Sequence, residues 1–307
     1  MVIRVLGSAA GGGFPQWNCA CVNCSGLRKG LITASPRTQE SICLSADDRN
    51  WFLVNASPDI RSQIESFGPL HPGTSRATPI QAIFLTNGDV DHSLGLLSLR
   101  ENQRLVVYAT DSVRRGFTDG NVLYRTLQRF ADQVTWRTLK PGFEEPVFHA
   151  DGSPSGLTVR AVAVPGKPPI HLEGLVSSDD PDLNVGLRFR QLTSGRVLAY
   201  FSAVGRITPS VVEGLEGADC VMFDGTFWSS DELSLPGFLN KSAEDLAHWP
   251  VGGPEGSFST LSTIAVARRV FVHINNTNPM LRDDSHEREL VEAEGWSVAW
   301  DGMEITL

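Results

Sequence analysis

The stretch Thr86-Asn87-Gly88-Asp89-Val90-Asp91-His92-Ser93-Leu94-Gly95-Leu96-Leu97 decides the reading of this chain. It follows an apolar run, Ile80-Gln81-Ala82-Ile83-Phe84-Leu85, which predicts a buried strand. It runs out through Ser93-Leu94-Gly95-Leu96-Leu97, which predicts the start of a packed helix. Two carboxylates and an imidazole therefore stand at a strand-to-helix turn, where side chains can converge on one point. That is how a metal site is built. The same residues also suit an acidic turn closed by a capping Asp.

The composition narrows the classes. The chain has 307 residues, 41% hydrophobic and 20% charged, enough for a sizeable core. Its net charge of −9 argues against nucleic acid, whose phosphates require clustered Lys and Arg. No stretch approaches the length of an apolar membrane span, so no membrane insertion is expected. Met1-Val2-Ile3-Arg4-Val5-Leu6 leads straight into strand-like sequence and lacks the parts of a signal peptide, so a cytoplasmic location is expected. Three of the five cysteines crowd into Cys19-Ala20-Cys21-Val22-Asn23-Cys24. In a reducing compartment such a cluster points to metal ligation rather than disulfides.

Strands are expected at residues 2–6, 40–44, 51–55, 80–85, 104–109, 157–164, 185–190, 196–201, 220–223, 270–274 and 296–300. Helices are expected at 59–67, 93–100, 121–130, 242–248, 257–266 and 285–294. Pro/Gly-rich stretches at 69–79, 150–156, 165–169 and 250–256 look like loops, and no repeat or compositional break divides the chain. The expectation is an α/β fold in one domain over residues 1–307, with two layered sheets and helices outside. Gly7-Ser8-Ala9-Ala10-Gly11-Gly12-Gly13 after the first strand is either a tight turn with close backbone approach or an anion cradle.

Together these residues resemble a known family. The run G-S-A-A-G-G-G-F-P-Q-W-N-C-x-C-x-x-C from Gly7 to Cys24 resembles the pyrroloquinoline quinone biosynthesis protein B family. So do the stretch that opens this section, F-D-G-T-F-W at Phe223 to Trp228, and H-I-N-N-T-N-P at His273 to Pro279. The resemblance implies the metallo-β-lactamase fold, a four-layer αββα sandwich. That superfamily carries H-x-H-x-D-H, then a His, a bridging Asp and a final His, which hold two metals for hydrolysis. Here the first His position is Asn87 and the second is Asp89, while Asp91 and His92 match. The intermediate His position falls near Val164-Pro165-Gly166, the bridging Asp is replaced by Val204, and the last His is His273.

Valine cannot bridge two cations, so a two-metal hydrolytic site is not expected. What remains is Asp91, His92 and His273, with Asp89 as a candidate fourth donor. Two His and one carboxylate form the ligand set of non-haem Fe(II) oxygenases. Cys19, Cys21 and Cys24 are expected to hold a structural zinc in an N-terminal loop. Its fourth ligand is open: related phosphodiesterases place a His where this chain has Asn276. Cys43 and Cys220, in apolar strands, read as small core residues.

The resemblance to tRNA-processing members implies that Asp224 and His248 form a proton relay. Alternatively they are a capping Asp and a surface His. Asn275, Asn276 and Asn278 are expected to position substrate or water. The function implied is an iron-dependent oxygenase that hydroxylates the tyrosine ring of a cross-linked Glu–Tyr precursor in pyrroloquinoline quinone biosynthesis. Its partners would be that peptide-derived small molecule and the other proteins of the pathway, with a homodimer a further expectation. The alternatives are a carrier assisting transport of the quinone or its precursor to the periplasm, and a metal-dependent hydrolase typical of the fold.

Overall fold

The computed structural model describes residues 1–174, 176–177, 179–234 and 240–307. The chain builds one sheet from β1 (Val2–Gly7), β2 (Ser41–Ser45), β3 (Trp51–Val54), β4 (Ile80–Phe84), β5 (Leu105–Ala109) and β6 (Val134–Thr138). A second sheet follows from β7 (Glu144–Phe148), β8 (Pro154–Ala163), β9 (Val185–Gln191), β10 (Val197–Phe201), β11 (Cys220–Asp224), β12 (Arg268–Val272) and β13 (Trp296–Val298). The last strand, β14 (Glu304–Thr306), returns to the first sheet. The sheet orders are β14-β1-β2-β3-β4-β5-β6 and β13-β12-β11-β10-β9-β8-β7. The helices are α1 (Val22–Arg28), α2 (Ile60–Glu65), α3 (Val90–Ser93), α4 (Asp111–Thr118), α5 (Pro209–Leu215), α6 (Ser257–Thr260) and α7 (His286–Ala293).

The layers follow from the two-residue period of the strands. Phe52, Val54 and Phe84 of the first sheet meet Leu187, Phe189 and Leu198 of the second in one apolar cluster. Phe84 stands edge-on to Phe189 at 5.0 Å and stacks on Tyr108 at 4.5 Å. The alternate residues point outward. Leu53, Ile83 and Val107 pack under Ile60 of α2 and Val113 and Phe117 of α4. Val221, Phe223 and Phe271 pack with Val211 and Leu215 of α5 and Val291 of α7. Three apolar clusters between four layers give the αββα sandwich that the motifs implied.

The edges and short elements depart from the expectations. Strands β6, β7 and β14 were absent from the periodicity because each lies at or beside a sheet edge and carries charged residues or Pro146. The helices expected at 93–100 and 121–130 are mostly 3₁₀ turns, Leu94–Leu99 and Val122–Gln128. The expected helix at 242–248 shrinks to the turn Glu244–Leu246, because Ala247 adopts a left-handed backbone. Residues 257–266 keep only α6, and the loop expected at 150–156 already contains the start of β8. Helices α1, α4 and α5 were not anticipated, although Thr208 before Pro209 is a readable start signal: its hydroxyl caps Val211 N.

The parallel strands aim their carboxyl ends at one edge of the sandwich, where ligands bind in open α/β sheets. The stretch from 86 to 92 leaves β4 there, Asp224 and Thr226 leave β11, and His273 leaves β12. Gly95 fixes how the first of these turns back. Its N–H donates to Ala56 O at 2.8 Å, and Ala56 N donates to His92 O at 2.8 Å. A Cβ at Gly95 would stand 2.2 Å from Ser57 O and 2.6 Å from Ala56 O. Backbone cannot yield there, so Gly95→Ala is expected to cost about 3 kcal/mol. A denaturant melt that matches the wild type would show that the close approach is not required.

Candidate metal centre

Asp91, His92 and His273 come together at that edge from positions 182 residues apart. His92 Nε2 and His273 Nε2 are 3.1 Å apart, and Asp91 Oδ2 lies 3.3 Å from His273 Nε2 and 3.9 Å from His92 Nε2. Both imidazoles are buried, and the three ligand atoms could hold one ion between them. Cis ligands around a first-row dication sit about 3 Å apart when each bond is about 2.1 Å, so the triangle fits. The strand expected at 270–274 ends at Val272, because His273 has a left-handed backbone with φ 58°. That turn swings the imidazole off the strand and into the cleft.

Burial and mutual charge shift all three groups. Burial pushes His92 down to about 4, against the pull of Asp91. Burial works against His273 as well, but the hydrogen bond and charge of Asp91, with Asp224 and Glu40 behind, hold it up at about 9. Burial also opposes the Asp91 carboxylate, yet the charges of His92 and His273 keep it far below the usual range. One proton therefore sits among ligand atoms that could instead share a metal ion.

The other residues take distinct places. Asp89 stands at the N-cap of α3, but its side chain makes no capping bond. It lines the same cleft of about 200 Å³ as Asp91, His92, Lys167 and His273, while remaining outside the tight cluster. Burial first, then the charge of Asp91, pushes it up to about 6. Asn87 occupies the superfamily's first His position. It is buried, accepts from Asp89 N at 3.0 Å and pairs with Asn184 across the sheets. Val204, at the bridging position, is sealed in the apolar layer under α5. The Gly-rich loop makes a close approach to the cluster: a Cβ at Gly11 would come within 3.1 Å of Asp91 Oδ2.

Asp224 and His248 form a pair. His248 Nδ1 donates to Asp224 Oδ2 at 2.7 Å, and Oδ2 also accepts from Val204 N at 2.7 Å. Oδ1 accepts from Thr226 N at 2.9 Å and from Thr226 Oγ1 at 2.6 Å. Burial works against this carboxylate, but the charge and hydrogen bond of His248 hold it below the usual range. Asp224, His248 and His273 also cluster closely enough to suggest a metal site. Four donors, one of them the His248 Nδ1, already occupy both oxygens of Asp224. Thr226 is the residue that motif reading passed over, although it sits inside F-D-G-T-F-W.

The cysteines converge too, since the three Sγ atoms could hold a metal ion together. Gln16 N, Cys21 N and Cys24 N point at Cys24, Cys19 and Cys21 sulfurs at 3.3, 3.4 and 3.4 Å, a pattern that favours thiolates. Asn276 Nδ2 lies 3.2, 3.6 and 3.4 Å from the Cys19, Cys21 and Cys24 sulfurs. Burial pushes Cys24 up to about 12, so only a bound cation would keep that sulfur ionised at neutral pH. Of the three asparagines, Asn275 alone lines the cleft. Asn276 faces the sulfurs, and Asn278 is buried with its amide donating to Gly225 O at 2.8 Å. Cys43 and Cys220 are core residues, fully buried.

Residues 50–274 match the β-lactamase superfamily domain. Coenzyme PQQ synthesis protein B of Methylobacillus flagellatus is 44% identical over 311 aligned positions, covering all of both chains. The chain belongs to the coenzyme PQQ synthesis protein B family, within the β-lactamase superfamily. The crystal structure of Zn(2+)-bound PqqB from Methylobacterium extorquens has a TM-score of 0.90 at 42% identity, with both chains fully covered. A diphosphatase from the PhnP family reaches a TM-score of 0.65 at 21% identity, covering 100% of this chain and 97% of its own, and shares the fold. A zinc-bound relative and two convergent ligand groups together support a divalent metal in this family member.

The proton on His273 makes metal uptake pH-dependent with a definite sign. His92 is neutral above about 4, whereas His273 keeps its proton until about 9. An incoming cation must displace that proton, so affinity is expected to fall about tenfold for each pH unit below that point. Co(II) titrations with proton release followed in parallel check this. Equal affinity at about pH 6 and about pH 8 would refute the shared-proton arrangement.

Proposed function

We propose that this chain is a mononuclear, metal-dependent oxygenase of pyrroloquinoline quinone biosynthesis. It would hydroxylate the tyrosine ring of a cross-linked Glu–Tyr precursor derived from a peptide. One observation carries the reading: Asp91, His92 and His273 converge on one point, while Asn87 and Val204 occupy positions that two-metal hydrolases fill with ligands. Two His and one carboxylate on one side of an ion leave the remaining positions open, as in non-haem Fe(II) oxygenases. Fe(II) held there would supply the redox chemistry that dioxygen activation requires. The kinship with coenzyme PQQ synthesis protein B supports the pathway.

The chain's own residues do the rest. The cleft admits a small ring beside Phe227 and Leu246, with Lys167 at its wall to meet substrate carboxylates. Asp224 holds His248 by Nδ1, which leaves Nε2 free to take a proton from the substrate. The common core between the sheets supports residues 1–307 acting as a single domain. Among the described residues no helix is long and apolar enough to cross a membrane. The proposal places the chain in the cytoplasm beside the other proteins of the pathway. The carrier reading has no comparable geometric support, since the proton pair and the convergent ligands serve turnover.

Anaerobically purified protein loaded with Fe(II) should consume oxygen when given the precursor amino acid together with a two-electron reductant such as ascorbate, one oxygen atom entering the ring as hydroxyl and the other leaving as water. His273→Ala should abolish iron binding and oxygen uptake while leaving metal on the cysteines. His248→Ala should retain iron and slow turnover by roughly 10²–10⁴-fold. Tight binding of the quinone without turnover would favour the carrier. Two metals in the cleft with phosphodiester hydrolysis would restore the hydrolase.

The cysteine cluster is proposed as a structural zinc site, with the Asn276 amide turned to present its oxygen as fourth ligand. Zinc there would pin the N-terminal loop to the segment that carries His273. Cys21→Ser is therefore expected to lose that zinc and several kcal/mol of stability. Full zinc content with an unchanged melting temperature would defeat the assignment.

A further inference from the structure

Both imidazoles that stand beside Asp91 turn their inner nitrogens to a threonine. His273 Nδ1 lies 2.7 Å from Thr226 Oγ1, and His92 Nδ1 lies 3.0 Å from Thr86 Oγ1. The two threonines hold equivalent places in the two sheets. Thr86 stands two residues past the end of β4 and Thr226 two residues past the end of β11, and both are buried.

Each hydroxyl proton has its own acceptor. Thr226 Oγ1 donates to Asp224 Oδ1 at 2.6 Å, with His273 O a second oxygen at 2.9 Å. Thr86 Oγ1 donates to Asn55 Oδ1 at 3.1 Å. A hydroxyl has one proton and two lone pairs. Once the proton is directed at those oxygens, the hydroxyl can only accept from the ring. Both Nδ1 atoms then carry hydrogen, and both Nε2 atoms face the shared point between them. Asn55 Nδ2, an N–H donor, also lies 2.9 Å from His92 Nδ1 and could donate to it, so on this side the proposal is that the Thr86 hydroxyl, at 3.0 Å, is the partner that sets the ring. Asn55 in turn donates to Glu40 Oε2 at 2.8 Å, so each threonine is backed by a buried carboxyl group.

We propose that Thr86 and Thr226 are paired positioning residues, whose hydroxyls lock both imidazoles as Nε2 ligands before a cation arrives. This rests on the metal-site reading above and goes beyond it. Partners of this kind fix the tautomer and ring angle of a metal-ligating histidine, and their loss typically costs 10–100-fold in affinity.

The test compares Thr86→Val and Thr226→Val, which keep shape and remove the hydroxyl, with Thr86→Ser and Thr226→Ser, which keep it. Co(II) affinity at the cleft is measured by chelator competition, with the cysteine site filled by zinc and the visible Co(II) bands recorded. Each Val variant is expected to bind at least about tenfold more weakly with altered bands, and each Ser variant to bind like the wild type. Wild-type affinity in either Val variant overturns the pairing. Weakening in the Ser variants equal to that in the Val variants overturns it too, since packing would then explain the loss. Should Thr226→Val fail to fold because Asp224 loses a donor, the Thr86 variants decide the matter alone. A wild-type chain that takes up no cation in the cleft overturns the metal reading and this inference together. Normal uptake by all four variants overturns this inference alone.

Discussion

A carboxylate sealed from water must be surrounded by donors, and Asp224 is where this requirement organises the molecule. Its four hydrogen bonds come from the turn after β10, from the backbone and hydroxyl of Thr226, and from His248 in a distant loop. Removing any of them would leave a buried charge short of a partner, which is among the more costly defects a protein interior can carry. The same bonds that satisfy Asp224 orient Thr226, and through it His273. The Asp224–His248 pair and the His273 imidazole are thus held by one network rather than two.

That network has a counterpart on the first sheet. Asn55, itself in a left-handed conformation, joins Thr86, His92 and Glu40, so the turn after β4 is braced from behind much as the turn after β11 is. Between them lies the only point at which the two sheets contribute ligand atoms to a common centre among the described residues. Val204 lies in the apolar layer at the place where a second cation would need a bridging carboxylate. The apolar packing beside Asp224 therefore supplies no bridging carboxylate at that position.

Much of this was legible in the sequence, because the side chains concerned are short polar groups at the ends of apolar strands. Asp91 and His92 stand at a strand-to-helix turn and the cysteines sit within six residues of one another, so spacing and pattern point to them, whereas His273 is reached through the family resemblance. Edge strands such as β7 were hidden because half-exposed, charged segments carry no clean alternation. The shortened helices were overestimated because periodicity does not separate an α-helix from a 3₁₀ turn under tertiary strain. Thr86, Thr226 and Glu40 went unread for a different reason. Their roles depend on which neighbour each hydrogen bond reaches, and the Glu40–Asn55, Asn55–Thr86 and Thr226–His273 partners are 15, 31 and 47 residues apart along the chain. Asn276 stood in a known position, but only the fold shows that its amide faces all three sulfurs.

The left-handed backbone at His273 also limits how this centre can change. Outside glycine, that conformation is tolerated best by Asn, Asp and His, whose short polar side chains suit it. A cysteine or glutamate introduced there to attract a softer or harder cation would carry a backbone penalty before it met any metal. Aspartate is the replacement that keeps both the turn and a donor atom. The ligand chemistry open to this cleft, in the laboratory or over generations, is therefore narrower than its ring of side chains suggests, and a torsion angle sets the boundary.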